Sequence, residues 1–298
     1  GETTKRSSVN INLEWMIVDG LRAVAQFSNH NRHSRSHFFV KNNPTTGTNI
    51  RPTKEAFTET NRMDFQTYLN WKKTFAEDHN IDVVAGYDYM KDKNNSIDAR
   101  VQGAASDKIP TLNVGTSNIT NYPTSTRTDE VLISYFGRVN YNFREKYLLS
   151  FTMRADGSSK FAAGNRWGYF PAASAGWIVD EEAFWPQNKV VSSLKLRASY
   201  GLTGNNGIGL YDTYGSYNSA YQYNGMSTTT TGEMPNSNLT WESTTQVNAG
   251  LDMGLADDRV RVSFDYYDKV TRNLLFDVTL PNTTGYGSVV SNVCKVRF

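Results

Sequence analysis

Apolar and polar side chains alternate along much of the chain, which is the pattern of β-strands with one apolar face. From residue 131 to residue 143 every second side chain is apolar or aromatic except Gly137, and most positions between them are polar. The alternation resumes at Tyr147, after the polar residues 144–146, and continues to residue 155. Two long strands joined by so short a turn predict an antiparallel hairpin.

The same pattern predicts further hairpins elsewhere in the chain. Their strands cover residues 11–17 and 21–27, 63–71 and 81–89, and 241–255 and 260–266, and another strand covers 194–202. One set of connections is three to five residues or so, whereas the other set is long and polar, at 29–60, 94–129 and 205–238. Short turns at one end and long loops at the other are typical of an outer-membrane β-barrel.

Composition agrees with an all-β chain and excludes several classes of protein. Aromatic residues reach 13%, a composition suited to strands, and the formal net charge of +2 indicates no nucleic-acid partner. The single cysteine, Cys294, excludes an internal disulfide. No apolar run approaches the ~18 residues of a transmembrane helix, but barrel strands of about 10 alternating residues need no such run.

The polar faces of the predicted strands carry four cationic side chains, Arg138, Arg154, Lys195 and Arg197. Such side chains fit poorly in the packed core of a soluble β-sandwich, since charged groups are rarely buried without partners. They fit well in the wet interior of a barrel. We therefore predict that these four residues face the lumen and that the apolar faces contact outer-membrane lipid.

Several long motifs occur together in order. They are YFGRVNYNFREKYLLSFTMRADGSS at 135–159, RWGYFPAASAGW at 166–177, LKLRASYGLTGNN at 194–206, NLTWESTTQVNAGLD at 238–252 and YYDKVTRNLLFDVTLPNTTGYGSVVSNV at 266–293. In this order and spacing the chain resembles the SusC/RagA family of TonB-dependent outer-membrane transporters. It departs from the family pattern at Cys294, where glycine is expected.

The resemblance implies a transmembrane β-barrel of about 22 strands that is filled by a plug. It also implies a SusD-like surface lipoprotein as partner and energy delivered by the TonB complex. Residues 1–298 would be an internal part of that barrel domain, without the plug and the remaining strands. Taken alone, such a part is expected to form a curved open antiparallel sheet with two unpaired edges.

Candidate chemistry is sparse. His30, His33 and His37 lie close together and could bind a transition metal, but no nearby carboxylate is evident and strand alternation places His30 on the opposite face. Solvated histidines at the base of a loop are the preferred interpretation. No catalytic set is recognised, so we predict neither an enzyme nor a cofactor.

Five tyrosines crowd one polar loop, at Tyr211, Tyr214, Tyr217, Tyr221 and Tyr223. Aromatic faces beside amide groups suit contact with an oligosaccharide, a peptide or a lid protein. The alternative is that they hold the loop together or belong to an aromatic girdle. The family resemblance implies that the intact protein imports oligosaccharides or other large nutrients. A siderophore-type TonB receptor and a secreted carbohydrate-binding or adhesive β domain are the alternatives.

Overall fold

The computed structural model describes residues 1–42, 50–114, 123–186 and 190–297, and nearly all of its regular structure is β. The strands are Glu2–Val18 (β1), Leu21–Phe39 (β2), Thr53–Phe75 (β3), His79–Val101 (β4), Thr124–Phe143 (β5), Tyr147–Ser158 (β6), Trp167–Ile178 (β7), Val191–Asn205 (β8), Tyr217–Tyr223 (β9), Met226–Thr231 (β10), Glu242–Leu255 (β11), Val260–Thr279 (β12) and Ser288–Arg297 (β13). Within these ranges, no helix is long and apolar enough to cross a membrane.

Eleven of these strands form one antiparallel sheet in the order β1-β2-β3-β4-β5-β6-β7-β8-β11-β12-β13, and β9 and β10 form a separate hairpin. The order follows the chain except where the β9–β10 hairpin is inserted between β8 and β11. Over the described residues β1 and β13 remain the two edges, so the sheet is open. The prediction of an all-β, open antiparallel sheet is confirmed.

The predicted hairpins are present, but several strands are longer than their alternation indicated, most of all β2, β3 and β4. The β2–β3 register is continuous from the Leu21–Trp71 pair to the Phe39–Thr53 pair, and β4 extends to Val101. The predicted loops 29–60 and 94–129 were therefore too long. The added residues are mostly polar on both faces, so they carry no apolar alternation, although their backbones pair as in any strand.

The structure also contains a strand that the sequence pattern did not reveal. β7 pairs with β6 and β8 through small residues, including Ala172, which lies opposite Thr152 and Gly201. Side chains of alanine, serine and glycine give little contrast between the two faces. The following connection, residues 179–190, is longer than the short turns predicted for that end of the sheet.

Two ends of the sheet can now be distinguished. The short-turn rim is the end at which residues 19–20, 76–78, 144–146, 179–190 and 256–259 join the strands. The opposite end, the long-loop rim, carries the connections between β2 and β3, β4 and β5, β6 and β7, β8 and β11, and β12 and β13. The asymmetry predicted from the sequence is present, apart from the long connection after β7.

Cys294 lies in a left-handed backbone conformation inside β13. Its φ is +66°, and Asn273, with φ +55°, lies opposite it, where the β12–β13 pairing skips one position without a change of register. Glycine adopts such a φ without a steric cost from Cβ, which is a physical reason for the glycine that the family pattern expects.

We therefore expect Cys294→Gly to stabilise a complete receptor that carries this chain by about 1 kcal/mol. The measurement is the urea midpoint of unfolding in detergent. Cys294→Ser is the matched control, because it removes the thiol and keeps Cβ, and it should leave the midpoint unchanged. An equal gain in both variants would show that the thiol, not the backbone, is responsible.

Candidate functional site

The apolar face of the sheet carries a row of aromatic rings along the short-turn rim. Phe143 stacks on Tyr147 with ring centroids 6.0 Å apart, and Tyr147 stacks on Trp177 at 6.4 Å. Trp71 and Phe75 form an edge-to-face pair on β3. These rings form the lower aromatic row.

A second row of rings crosses the same face closer to the long-loop rim. Tyr135 lies 5.3 Å from Tyr87 and 5.9 Å from Trp167, measured between ring centroids. Their side chains point away from the polar face, because each strand alternates between the two faces. We call these rings the upper aromatic row.

Aliphatic and other apolar side chains fill the space between the two rows. Val139 lies opposite Phe151, and Phe151 lies opposite Ala173 in the next strand. On β5 the distance from Tyr135 to Phe143 is about 27 Å along the strand. After allowance for strand tilt, this is close to the apolar band of about 25 Å, edged by aromatic girdles, that contacts lipid in outer-membrane barrels.

The opposite face is polar and concave. Residues from β3 to β11 line one trough of about 610 Å³, although these strands lie far apart in the sheet. Representative lining residues are Lys72, Asp82, Asn140, Ser174, Arg197 and Asn248. Curvature toward the polar side is the arrangement required of a barrel wall around a wet lumen.

The four predicted cationic residues all lie on this concave face, but they differ in their contacts. Among the described residues, Arg138 donates one long hydrogen bond, 3.3 Å, to Thr152 Oγ1. Lys195 lines the trough beside Arg197. Arg154 and Arg197 are instead at the centres of ionic networks.

The Arg197 network joins three strands. Its Nε donates to Asp252 Oδ2 at 2.7 Å and its Nη2 to Asp252 Oδ1 at 3.0 Å, a two-pronged pair between β8 and β11. Nη2 also lies 3.1 Å from Asp265 Oδ1 on β12. The fork of the guanidinium explains why arginine suits this position, since lysine would offer a single point of attachment.

The Arg154 network lies nearer the long-loop rim. Arg154 Nε donates to both carboxylate oxygens of Asp156, at 2.7 and 3.0 Å, and Nη2 donates to Ser134 Oγ at 2.8 Å. Asp88 on β4 lies 3.7 Å from the same guanidinium. Alternation identified both arginines, but the partners on other strands, Asp88 and Asp265, depend on strand register and were missed.

A small apolar core lies beneath the loops of the long-loop rim. Phe161, Ile208 and Leu239 are buried together, with Trp241 packed against them. The indole Nε1 of Trp241 donates to the carbonyl of Arg166 at 3.0 Å. The loops after β6 and β8 are thus packed against one another. We call this unit the loop core.

The tyrosine-rich loop, residues 211–223, follows Ile208 of the loop core directly in the chain. Tyr217 and Tyr223 begin and end β9 and are 81% and 77% exposed, whereas Tyr214 Oη accepts a 3.4 Å hydrogen bond from Arg166 Nη2. Tyr211 is 46% exposed, and the side chain of Tyr221 lies outside the described part of the structure. The rings of Tyr217 and Tyr223 are therefore freely exposed, whereas Tyr211 and Tyr214 are less exposed and lie nearer the base of the loop.

The histidine cluster has partners that the sequence did not reveal. His37 Nδ1 lies 2.6 Å from Glu55 Oε1, and His33 Nδ1 lies 4.0 Å from Glu59 Oε1. His30 instead bonds Ser8 Oγ at 2.9 Å. The expectation that no carboxylate is nearby was wrong, because β3 brings these residues across from β2.

These contacts do not create a metal centre. The hydrogen bond with His37 lowers the pKa of Glu55, with a further contribution from Arg35, despite an opposing effect of burial. Each of the three histidines contacts a different side chain, Ser8 on β1 or Glu55 or Glu59 on β3. In the described ranges, no group of three or more His, Cys, Asp or Glu side chains has the geometry to hold a metal ion.

The family model for the TonB dependent receptor-like β-barrel matches residues 2–298. The chain belongs to the TonB-dependent receptor β-barrel family. This assignment places it in the bacterial outer membrane, so the alternative of a secreted β domain is set aside. The matched relatives are receptors and transporters, not enzymes.

Curated relatives in this family include receptors of two bacteria. TonB-dependent receptor P3 of Formosa agariphila is 33% identical over 299 residues, covering 97% of this chain and 29% of that protein. TonB-dependent receptor SusC of Bacteroides thetaiotaomicron is 41% identical over 172 residues, covering 55% of this chain and 17% of that protein. The chain therefore spans less than a third of the length of either relative.

Solved structures show the same relationship. The RagAB peptide importer in its closed-closed state superposes with a TM-score of 0.91 at 26% identity, covering 99% of this chain and 33% of that chain. The copper transporter OprC gives a TM-score of 0.58 at 15% identity, which shows the shared fold alone. The ferric preacinetobactin receptor BauA of Acinetobacter baumannii, at 0.51 and 14%, likewise shows only the fold.

Proposed function

We propose that this chain forms part of the barrel wall and extracellular loops of a TonB-dependent active transporter for large nutrients. The observation that carries the proposal is the curved sheet itself, with a polar, ion-paired concave face and an apolar convex face edged by two aromatic rows. The short-turn rim faces the periplasm and the long-loop rim faces the exterior. The plug and the remaining strands of a barrel of about 22 strands belong to other parts of the receptor.

The concave face supports passage of a hydrophilic ligand. Most of the residues that line the trough have amide, hydroxyl or charged side chains, such as Asn140, Ser174 and Asn248. Much of the charge is paired, as at Arg197 and Asp252, so the wall presents hydrogen-bonding groups rather than a strong field of one sign. Oligosaccharides and peptides both suit such a surface. A plug that fills the barrel would also contact it.

The outer loops support a partner on the extracellular side. The loop core gives the β9–β10 hairpin a packed base, and Tyr217 and Tyr223 are presented at its surface. Exposed tyrosines on a fixed base provide contact area with little loss of conformational entropy. A SusD-like lipoprotein that closes over the barrel, or the ligand it delivers, is the proposed contact.

The decisive experiment measures uptake by a complete receptor that carries this chain. Cells would receive either a pool of labelled short peptides or a panel of labelled neutral oligosaccharides, with TonB present or deleted. Uptake of one pool that disappears without TonB supports the proposal and identifies the ligand class. Uptake of neither pool, together with TonB-dependent uptake of iron chelates, would favour the siderophore-receptor alternative.

We expect the double substitution Tyr217→Ser, Tyr223→Ser to raise the ligand concentration for half-maximal uptake by about tenfold, because two exposed aromatic contacts are lost. Tyr286→Ser, in the loop between β12 and β13, is the control and should leave uptake unchanged. An unchanged half-maximal concentration in the double variant would mean that these rings contact neither ligand nor lid.

A further inference from the structure

Residues 179–186, the first part of the connection between β7 and β8, fold back onto the convex face of the sheet. The carboxylate of Glu182 accepts a hydrogen bond from the hydroxyl of Tyr147 and another, of 3.1 Å, from Trp177 Nε1. Both donors belong to the lower aromatic row. Lys146 Nζ donates to the carbonyl of Glu181 and fixes the same segment from the neighbouring turn. We call residues 179–186 the foot.

The foot continues the lower aromatic row by one ring. Phe184 packs edge-on against Trp177, with ring centroids 6.4 Å apart and an interplanar angle of 63°. Its side chain is nevertheless 67% exposed. Phe143, Tyr147, Trp177 and Phe184 therefore form one sequence of ring contacts that ends in an apolar side chain on the outside of the sheet.

The polar groups of the foot are arranged for a boundary between water and apolar surroundings. The hydrogen bond from Tyr147, followed by that from Trp177, lowers the pKa of Glu182, so the carboxylate is charged at neutral pH. A charged carboxylate is too costly for hydrocarbon but is stable at the level of lipid headgroups, where Tyr and Trp rings also concentrate. Phe184 contacts the Trp177 ring on one side and is otherwise largely exposed.

We propose that the foot is a lipid-binding element, in which Phe184 inserts among the phospholipids of the periplasmic leaflet and Glu182 holds the segment against the barrel. The proposal rests on the orientation given above, with the short-turn rim at the periplasmic side. A lipid is the chosen occupant because the foot is continuous with the aromatic row that borders the apolar band. A protein partner or a second copy of the chain would be recognised by the test.

The test uses the complete receptor in its own outer membrane, with the photoreactive residue p-benzoylphenylalanine in place of Phe184. Two control positions carry the same residue: Leu149, exposed on the convex face of β6 two residues from Tyr147, and Glu145, at the tip of the neighbouring turn. After irradiation, mass spectrometry distinguishes phospholipid adducts from protein adducts. We expect phospholipid adducts at 184 and 149 and none at 145.

A lipid adduct at 149 without one at 184 would overturn the proposal, and a protein adduct at 184 would overturn it in favour of a partner or a second copy. Absence of lipid at 149 as well would overturn the membrane placement of the convex face instead. Adding Glu182→Ala should reduce the lipid adduct at 184 by about fivefold. Glu181→Ala, the adjacent control, should leave it unchanged, and equal yields in both variants would refute the role given to Glu182.

Discussion

Phe161→Ala is expected to open the loop core of a complete receptor that carries this chain, at a cost of about 3–5 kcal/mol. The Phe161 ring is fully buried and contacts Trp241 with ring centroids 5.3 Å apart. Removing it leaves a cavity beside Ile208 and Leu239, which the hydrogen-bonded loops around it are not free to fill. The loss of stability is confined to the loop core, because the strands of the sheet retain their own pairing.

Amide hydrogen exchange is the appropriate measurement, since it separates local from global opening. Exchange in residues 206–216 and 236–241 should rise by about 100-fold or more, given that 1.4 kcal/mol corresponds to about tenfold. Exchange in β3 and β4 should not change. Phe151→Ala is the matched control, because Phe151 is exposed on the convex face of β6. Similar exchange in both variants would show that the loops do not depend on this core.

The loop core also connects stability to the proposed recognition by the tyrosines. Thr213 Oγ1 donates to the carbonyl of Lys160 at 2.9 Å, so the base of the tyrosine-rich loop is attached to the loop that contains Phe161. When the core opens, Tyr217 and Tyr223 lose their fixed base. Phe161→Ala should therefore weaken contact with ligand or lid without removing either ring.

Alternation predicted those parts of the fold in which the two faces differ strongly. Between Val131 and Phe143 each side chain has a face set by its position, and β5 and β6 pair as expected. β7 was not predicted because the side chains on both of its faces near Ala172 are small and differ little in polarity. The extended parts of β2 and β3 were not predicted because their side chains are polar on both faces. In these segments backbone pairing decides the structure, and hydropathy carries little information about it.

The concave site was predicted in part for a related reason. Period-two alternation assigned Arg154 and Arg197 to the polar face, because that requires only their own strands. Their partners Asp88 and Asp265 are fixed by register between strands, and the loop core joins Phe161 to Leu239 across several strands. Such contacts are properties of the assembled sheet. The pairing of His37 with Glu55 was misjudged for the same reason.

Arg154→Met is expected to lower the stability of the complete receptor by about 2 kcal/mol, between the small value of a surface ion pair and the larger value of a buried one. The side chain of Arg154 is 37% exposed, but Asp156 beside it is 12% exposed and Ser134 is buried. The substitution keeps most of the volume and leaves Asp156 and Asp88 facing each other without a cation. The urea midpoint of unfolding in detergent measures the effect.

Arg138→Met is the matched control, because this arginine lies on the same concave face and its contact is one long hydrogen bond to Thr152. Its effect should stay within about 0.5 kcal/mol. Adding Asp156→Asn to Arg154→Met should restore part of the lost stability, since it removes one of the two uncompensated carboxylates. If the two arginine substitutions lower the stability equally, the Arg154 network stabilises the receptor no more than a solvated arginine does. If they differ as expected, the barrel wall is stabilised at particular carboxylate–arginine sites, and Arg138, which makes one long hydrogen bond, is available to contact ligand or plug.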